Sequence, residues 1–220
     1  QYPYTAGSTM LAAVLANGVF TPTAAQGGIG DVGAEDVLVA AAPGRAAWDG
    51  RSIAELARDF GLAPRAAAER VVAEAPGATA VIHMMSEDDV RTVLRHRGTL
   101  IGSDGIPTLD GKPHPRLYGS FARVLGHYAR DLAVLDLADA VARMTGLSAR
   151  CLGLSDRGVL REGAWADLTL FDPATVCDVG TFDDPQRPPV GIVGVWVNGR
   201  RVVTDGKATS ERPGRVLRRV

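Results

Sequence analysis

The chain has 220 residues, of which 46% are hydrophobic and 22% are charged, enough to bury a core without disulfides or a structural metal. This composition excludes an intrinsically disordered chain and a small disulfide-rich scaffold. The net charge of −1 provides no electrostatic footprint for nucleic acid or for an anionic membrane. We therefore expect a globular protein that binds neither of them.

The sequence shows no sign of membrane insertion or secretion. No apolar run approaches the roughly 18 residues of a membrane span, and the first residues lack the basic and apolar regions of a signal peptide. We therefore expect a cytoplasmic protein. The two cysteines, Cys151 and Cys177, have no CxxC-type neighbour, so we expect buried free thiols.

The first fifty residues show little helical or strand periodicity. Gly27-Gly28 is one of their loop signals. Residues 10–15 form a short apolar run, and residues 37–39 resemble a strand. A helix is predicted from Ser52, because Ser52 and Glu55 form a capping-box pair and Gly61 marks the helix end. A second helix is predicted over residues 64–75, where a proline begins the segment.

The middle of the chain has the pattern of a strand, a helix and a second strand. Apolar segments at residues 78–85 and 99–102 flank a helix that begins after Ser86 and runs to Leu94. Because apolar runs separated by a capped helix are typical of parallel sheets, we expect two parallel strands covered on both faces. Asp104 would then lie at the carboxyl end of the second strand, where α/β folds bind their ligands.

Helical patterns return after a loop rich in proline and glycine. They predict helices over residues 119–128 and 135–145, the second of which ends at Gly146. Ser148 is expected to cap one further helical turn that ends at Leu152.

Strand patterns dominate the rest of the chain. Strands are predicted over residues 166–171 and 192–197, and Asn198-Gly199 is a strong signal for a two-residue hairpin turn. The change from helical to strand patterns predicts a boundary near residue 153, between an α/β unit of residues 1–152 and a small β unit of residues 153–220.

Asp104 and Arg116 are the sharpest candidates for chemistry. A carboxylate directly after a buried strand is well placed to meet a ligand, although an aspartate that caps a turn is equally common there. Arg116 follows Pro115 and offers a forked guanidinium suited to a carboxylate, with a surface ion pair as the simpler interpretation. His83 and Met85, near the end of the first strand, fit either a pocket wall or the core.

The four histidines do not form a metal-binding motif. They occur at positions 83, 96, 114 and 127, without an HxH or HExxH pattern. A zinc site built from this chain alone is therefore not expected.

Several short motifs occur in a characteristic order. They are Tyr2-Pro3-Tyr4-Thr5, His83-Met84-Met85-Ser86, Ser103-Asp104-Gly105, His114-Pro115-Arg116, Val197-Asn198-Gly199 and Arg212-Pro213-Gly214-Arg215. In this order they resemble the N-acyl-D-amino-acid deacylases, the D-aminoacylases of the amidohydrolase superfamily. The resemblance implies an α/β fold: the later portion of a metal-dependent (β/α)8 barrel, with residues 8–80 as a lid-like insertion, plus the C-terminal strands of a small β-sandwich.

The resemblance also implies roles for individual residues. Asp104 would be catalytic, moving a proton during amide hydrolysis and contacting a weakly bound second metal. Arg116 would bind the α-carboxylate of the substrate. The other substrate-binding side chains would be Tyr4 (or Tyr2), His83 and Met85.

The implied reaction is zinc-dependent hydrolysis of an N-acyl-D-amino acid to a carboxylate and a free D-amino acid. Most zinc ligands of the family lie upstream of the Tyr-Pro-Tyr motif, so we expect the 220-residue chain alone to be inactive. Exposed strand edges would favour its self-association. The alternatives are an amidohydrolase for a cyclic amide, such as a hydantoin or dihydropyrimidine, and a non-catalytic truncated barrel fragment. The carboxylate clamp argues against a cyclic amide.

Overall fold

A computed structural model of the chain describes residues 1–20, 32–106, 108 and 110–217. The Gly27-Gly28 loop signal lies outside these residues. None of the described helices combines the length and the apolarity needed to cross a bilayer. The elements in chain order are β1 (Ala6–Met10), α1 (Leu11–Ala16), β2 (Val37–Ala41), a 3-10 turn (Ala46–Trp48), α2 (Ile53–Phe60), α3 (Pro64–Glu74), β3 (Thr79–His83), α4 (Glu87–Arg95), α5 (Arg116–Arg123), a π-helix (Val124–Asp131), α6 (Leu137–Met144), α7 (Gly146–Cys151), β4 (Leu168–Phe171), β5 (Ile192–Val197), β6 (Arg200–Thr204) and β7 (Lys207–Ala208).

The first part of the chain packs around a three-stranded antiparallel sheet of order β1-β3-β2. In the β1–β3 pair, Ala6 lies opposite His83 and Met10 lies opposite Thr79. Apolar side chains of α1, α2 and α3 form one core with those of β2 and β3. Fully buried members of this core include Leu11, Val14, Val37, Ile53, Leu56, Val71 and Ile82.

Local signals set the helix ends as predicted. At the start of α2, the Ser52 hydroxyl accepts the N–H of Glu55, and the Glu55 carboxylate accepts the N–H of Ser52. Gly61 ends α2 in the left-handed conformation, which glycine adopts without strain. Ser86 caps α4 by accepting the N–H of Asp89. These caps satisfy amide groups that have no partner inside the helix.

A strand is present within residues 78–85, as β3, but the predictions that it lies in a parallel sheet and that residues 99–102 form a second strand are wrong. β3 runs antiparallel to both of its neighbours, and residues 99–102 form no strand. Residues 100 and 102 make only a single bridge of the parallel kind, to Gln1: the Gln1 amine donates to the Leu100 carbonyl at 2.9 Å, and the Gly102 N–H donates to the Gln1 carbonyl at 3.0 Å. Strand direction is decided by partners distant in sequence, which an apolar run does not specify.

A second core joins α4, the π-helix and α6. Tyr128 of the π-helix is fully buried, and its hydroxyl donates to the Glu87 carboxylate at 3.0 Å. The buried Arg143 of α6 donates to the carbonyls of Leu94 and His96 at 2.8 and 2.7 Å. Because the last carbonyls of a helix lack a helical partner, this guanidinium satisfies the end of α4.

The helices predicted over residues 119–128 and 135–145 are present, and two smaller predictions nearby are wrong. Ser148 does not cap a new turn, since it lies inside α7 and its hydroxyl donates to the Arg143 carbonyl at 2.6 Å. The cysteines are not buried: Cys151, at the end of α7, is exposed, and Cys177 is half-buried.

The last part of the chain contains a four-stranded antiparallel sheet of order β4-β5-β6-β7. The predicted hairpin between β5 and β6 is confirmed. Asn198 and Gly199, with φ of 48° and 79°, both adopt the left-handed conformation that a two-residue hairpin turn requires. Phe171 and Ile192 of this sheet pack against the second core, so the sheet contacts the helices.

Candidate functional site

Arg116 stands at the start of α5 with its side chain only 2% exposed. Its Nη2 contacts Asp104 Oδ2 at 2.8 Å and donates to the Ser8 carbonyl at 3.4 Å. The guanidinium carbon lies 4.5 Å from the centre of the Tyr2 ring, a cation–π contact. Its buried Nε has no hydrogen-bond partner among the described residues.

Asp104 presents its carboxylate to solvent beside this buried cation. Its φ of 49° lies in the left-handed region, which aspartate tolerates better than most residues. The side chain is 68% exposed while one oxygen is held by Arg116. The chain turns sharply here, and the Gly105 that follows lies against Leu117. The structure thus brings the two sharpest candidates from the sequence into direct contact.

His114 is the residue of this region whose role sequence reasoning missed. It is 3% exposed, with Nε2 2.9 Å from the Ala6 carbonyl oxygen and Nδ1 accepting the N–H of Arg116 at 3.0 Å. Because a carbonyl only accepts and an amide N–H only donates, these partners assign the neutral tautomer with its proton on Nε2. Burial, with Arg116 nearby, lowers the pKa of His114 to about 3. Its position two residues before Arg116 was the one available signal.

The two tyrosines of the Tyr-Pro-Tyr motif have different partners. Tyr2 lies against the Arg116 guanidinium, and burial raises the pKa of its hydroxyl. Tyr4 donates to Asp178 Oδ2 at 3.2 Å, and Arg123 contacts the same oxygen at 3.2 Å. Burial and the Asp178 carboxylate raise the pKa of Tyr4. Tyr4 is therefore tied to the C-terminal part of the chain, whereas Tyr2 belongs to the group around Arg116.

His83 ends β3, and Met85 follows two residues later. The His83 ring lies 4.6 Å from Phe182, which in turn lies 5.1 Å from His114, both measured between ring centres. The Met85 N–H donates to the Thr5 carbonyl at 3.0 Å. Phe182 was not anticipated, since a single phenylalanine in an irregular segment carries no pattern that marks it.

The sequence profile of the amidohydrolase family matches residues 18–203, which is most of the chain. The chain belongs to the amidohydrolase family. Its predicted resemblance to the D-aminoacylases within that family is confirmed by the relatives that match it.

Three of these relatives show how much of an amidohydrolase the chain covers. The D-aminoacylase of Alcaligenes xylosoxydans xylosoxydans is 41% identical over 99% of the chain and 41% of its own length. The N-acyl-D-glutamate deacylase of the same organism is 48% identical over 77% of the chain and 34% of its own length. The solved N-acyl-D-glutamate deacylase of Bordetella bronchiseptica, complexed with zinc and a phosphonate inhibitor, is 40% identical, with a TM-score of 0.83 over 100% of the chain and 42% of that structure. The chain thus spans about two fifths, or less, of the length of the curated relatives it matches.

A cavity of about 630 Å³ opens beside Arg116 in this amidohydrolase chain, a size that suits a small molecule. Residues 40–44 form part of one wall, and Gly105, Ile106 and His114 contribute to another. Of the five predicted site residues, Arg116 is the one that lines this cavity. The structure therefore does not gather all five around one cavity.

The described residues do not form a metal centre of the amidohydrolase kind. Nowhere among them do three His, Cys, Asp or Glu side chains come close enough to hold an ion. Asp104 has a carboxylate oxygen to offer, but the charged group beside it is Arg116, and zinc prefers several nitrogen or sulfur donors. The described residues on their own therefore do not supply a three-ligand zinc site.

Proposed function

We propose that the complete protein hydrolyses the amide bond of N-acyl-D-amino acids, releasing a carboxylate and a free D-amino acid. The observation that carries this proposal is the Arg116 guanidinium, which belongs to a residue that lines the cavity and lies 2.8 Å from the exposed carboxylate of Asp104. A fixed cation and a reachable carboxylate, side by side, suit the binding of an acid and the movement of a proton. The D-aminoacylase and N-acyl-D-glutamate deacylase relatives support this reaction.

Arg116 would bind the α-carboxylate of the substrate. A guanidinium presents its N–H groups as a planar fork that matches the two oxygens of a carboxylate. Because Arg116 is almost fully buried, little water would screen this contact. The cation–π contact with Tyr2 would help to hold the fork in place.

Asp104 would move the proton. Its exposed carboxylate is accessible to a water molecule, from which it would accept a proton and pass it to the leaving amine. The ion pair with Arg116 would hold the Asp104 carboxylate in one orientation.

The remaining substrate contacts would come from the group around Arg116. Of the two tyrosines, Tyr2 is the better placed to meet a substrate, because the Tyr4 hydroxyl already donates to Asp178. His83 and Met85 are proposed for the wall of the acyl or side-chain pocket, as their motif suggests.

Zinc, present in the Bordetella relative, is proposed for the complete protein as well. The described residues alone do not fit a zinc site, so its other ligands would come from upstream of Tyr2. Asp104 would offer one carboxylate oxygen.

We further propose that residues 1–152 are the later part of a (β/α)8 barrel and residues 153–220 the strands of a small β-sandwich. In support, Gln1 makes one hydrogen bond to residue 100 and another to residue 102, which is the pattern of paired parallel strands. The separate core within residues 11–82 supports a lid-like insertion at residues 8–80.

The test is steady-state kinetics of the full-length protein on N-acetyl-D-methionine and on its neutral C-terminal amide. Arg116→Ala should raise KM for the acid far more than for the amide, because a buried charge-assisted contact is worth roughly 2 to 4 kcal/mol, or about 30- to 700-fold. Arg116→Lys, the matched control, keeps the charge but not the forked guanidinium. Its KM for the acid should lie between the values of the wild type and of Arg116→Ala. Asp104→Asn should lower kcat on both substrates by several orders of magnitude, since an amide cannot accept the proton. Equal KM penalties on both substrates, or no hydrolysis by the wild type, would refute the proposal.

A further inference from the structure

The outer edge of β1 is closed by side chains. β1 is an edge strand of the β1-β3-β2 sheet, and the carbonyls of Ala6 and Ser8, two residues apart, point to the same side of the strand. His114 Nε2 donates to the Ala6 carbonyl at 2.9 Å, and Arg116 Nη2 donates to the Ser8 carbonyl at 3.4 Å. The two side chains thus pair with backbone groups that a neighbouring strand would otherwise have to satisfy.

The second ring nitrogen of His114 holds the backbone of Arg116. The N–H of Arg116 belongs to the first turn of α5 and has no acceptor inside the helix; His114 Nδ1 accepts it at 3.0 Å. The rings of Tyr2, Tyr4 and Phe182 meet the imidazole edge-on, at 6.1, 5.2 and 5.1 Å between centres. The imidazole is therefore held on several sides, with both nitrogens in use.

We propose that His114 is a positioning residue for Arg116: by bridging β1 and α5, it sets where the guanidinium meets the carboxylate of the substrate. This inference rests on the proposed function of Arg116. The bridge needs an uncharged ring, because an imidazolium would direct a second N–H at the N–H of Arg116. The titratable groups around the ring are Arg116, His83, Tyr2 and Tyr4. Of these, Arg116 and His83 both disfavour a positive charge on His114.

The test compares two variants of the full-length protein that each keep one half of the bridge. In His114→Asn, the side-chain oxygen can still accept the Arg116 N–H, as Nδ1 does. In His114→Gln, the longer amide can still donate to the Ala6 carbonyl, as Nε2 does. We expect KM for N-acetyl-D-methionine to rise roughly ten- to a hundredfold in His114→Gln and about threefold or less in His114→Asn. KM for the neutral amide and kcat should change by about threefold or less in both.

A merely structural role for His114 predicts a different result. The changes in KM and kcat of the two variants would then follow their loss of thermal stability and would be equal for the acid and the amide. This outcome would overturn the proposal. Nitrogen-15 NMR of the full-length protein at pH 7 gives an independent reading: the proposal requires the proton of His114 on Nε2, and a proton on Nδ1 overturns it. If the wild type hydrolyses neither substrate, the proposed function fails. Calorimetric binding of N-acetyl-D-methionine to the two variants then makes the same comparison: weaker binding in His114→Gln than in His114→Asn supports the proposal, and equal or no binding refutes it.

Discussion

Arg143→Met should destabilise the chain by about 3 kcal/mol. The Arg143 Nη1 donates to the carbonyls of Leu94, His96 and Thr99 at 2.8, 2.7 and 3.4 Å, and methionine fills similar space without a donor. Each buried carbonyl left unpaired costs roughly 1 to 3 kcal/mol, and two of these three bonds are well made. The lost ion pair with Asp139 adds little, because that carboxylate is 37% exposed.

The assay is urea unfolding followed by far-ultraviolet circular dichroism. The matched control is Asp139→Asn, which removes the ion pair but leaves the guanidinium on its carbonyls; it should cost about 1 kcal/mol or less. Amide hydrogen exchange at the end of α4 should accelerate in Arg143→Met alone. If Arg143→Met costs no more than Asp139→Asn, the end of α4 does not depend on this guanidinium.

Three further predictions concern acid stability, packing and metal. The pKa of His114 is about 3 in the fold against 6.5 in the unfolded chain, so the unfolded chain binds more protons between these values. The free energy of unfolding should therefore fall as the pH drops through this window, by about 5 kcal/mol at most. His114→Gln should lose this contribution, and a difference from wild type that does not vary with pH would contradict the assignment. Gly126→Ala should lower the melting temperature by several degrees, because a Cβ there would collide with the Val176 carbonyl oxygen, whereas the control Gly214→Ala has open space. The 220-residue chain should hold no stoichiometric zinc after dialysis and should not hydrolyse N-acetyl-D-methionine, since Asp104 is the one zinc ligand predicted for it. Zinc found by atomic absorption, together with hydrolysis found by a product assay, would contradict this prediction.

Features that depend on residues close in sequence could be predicted correctly. The Ser52 and Glu55 capping box and the Asn198-Gly199 hairpin each lie within four residues, so their physics is visible in the sequence itself. The direction of β3 was not predictable in this way, because both of its partners, β1 and β2, are remote in the chain and an apolar run fits either direction.

In the candidate site, too, the features that depend on nearby residues were predicted and those that depend on remote residues were not. Asp104 and Arg116 were found from residue type and position, and only twelve residues separate them. The role of His114 depends on the carbonyl of Ala6, 108 residues away, and a backbone group leaves no trace in residue type. Phe182 joins the group through long-range packing of an irregular segment, which no local pattern reports.

During synthesis on the ribosome, β1 and β2 both emerge before β3, the strand that lies between them. Helices α1, α2 and α3 need only local hydrogen bonds and can form as soon as they are made. The two outer strands, in contrast, must wait without a partner until residues 79–83 have been translated. A nascent chain that stalls before this point would expose two apolar strand edges. Until β3 has been translated, these strand edges are therefore open to pairing with other chains.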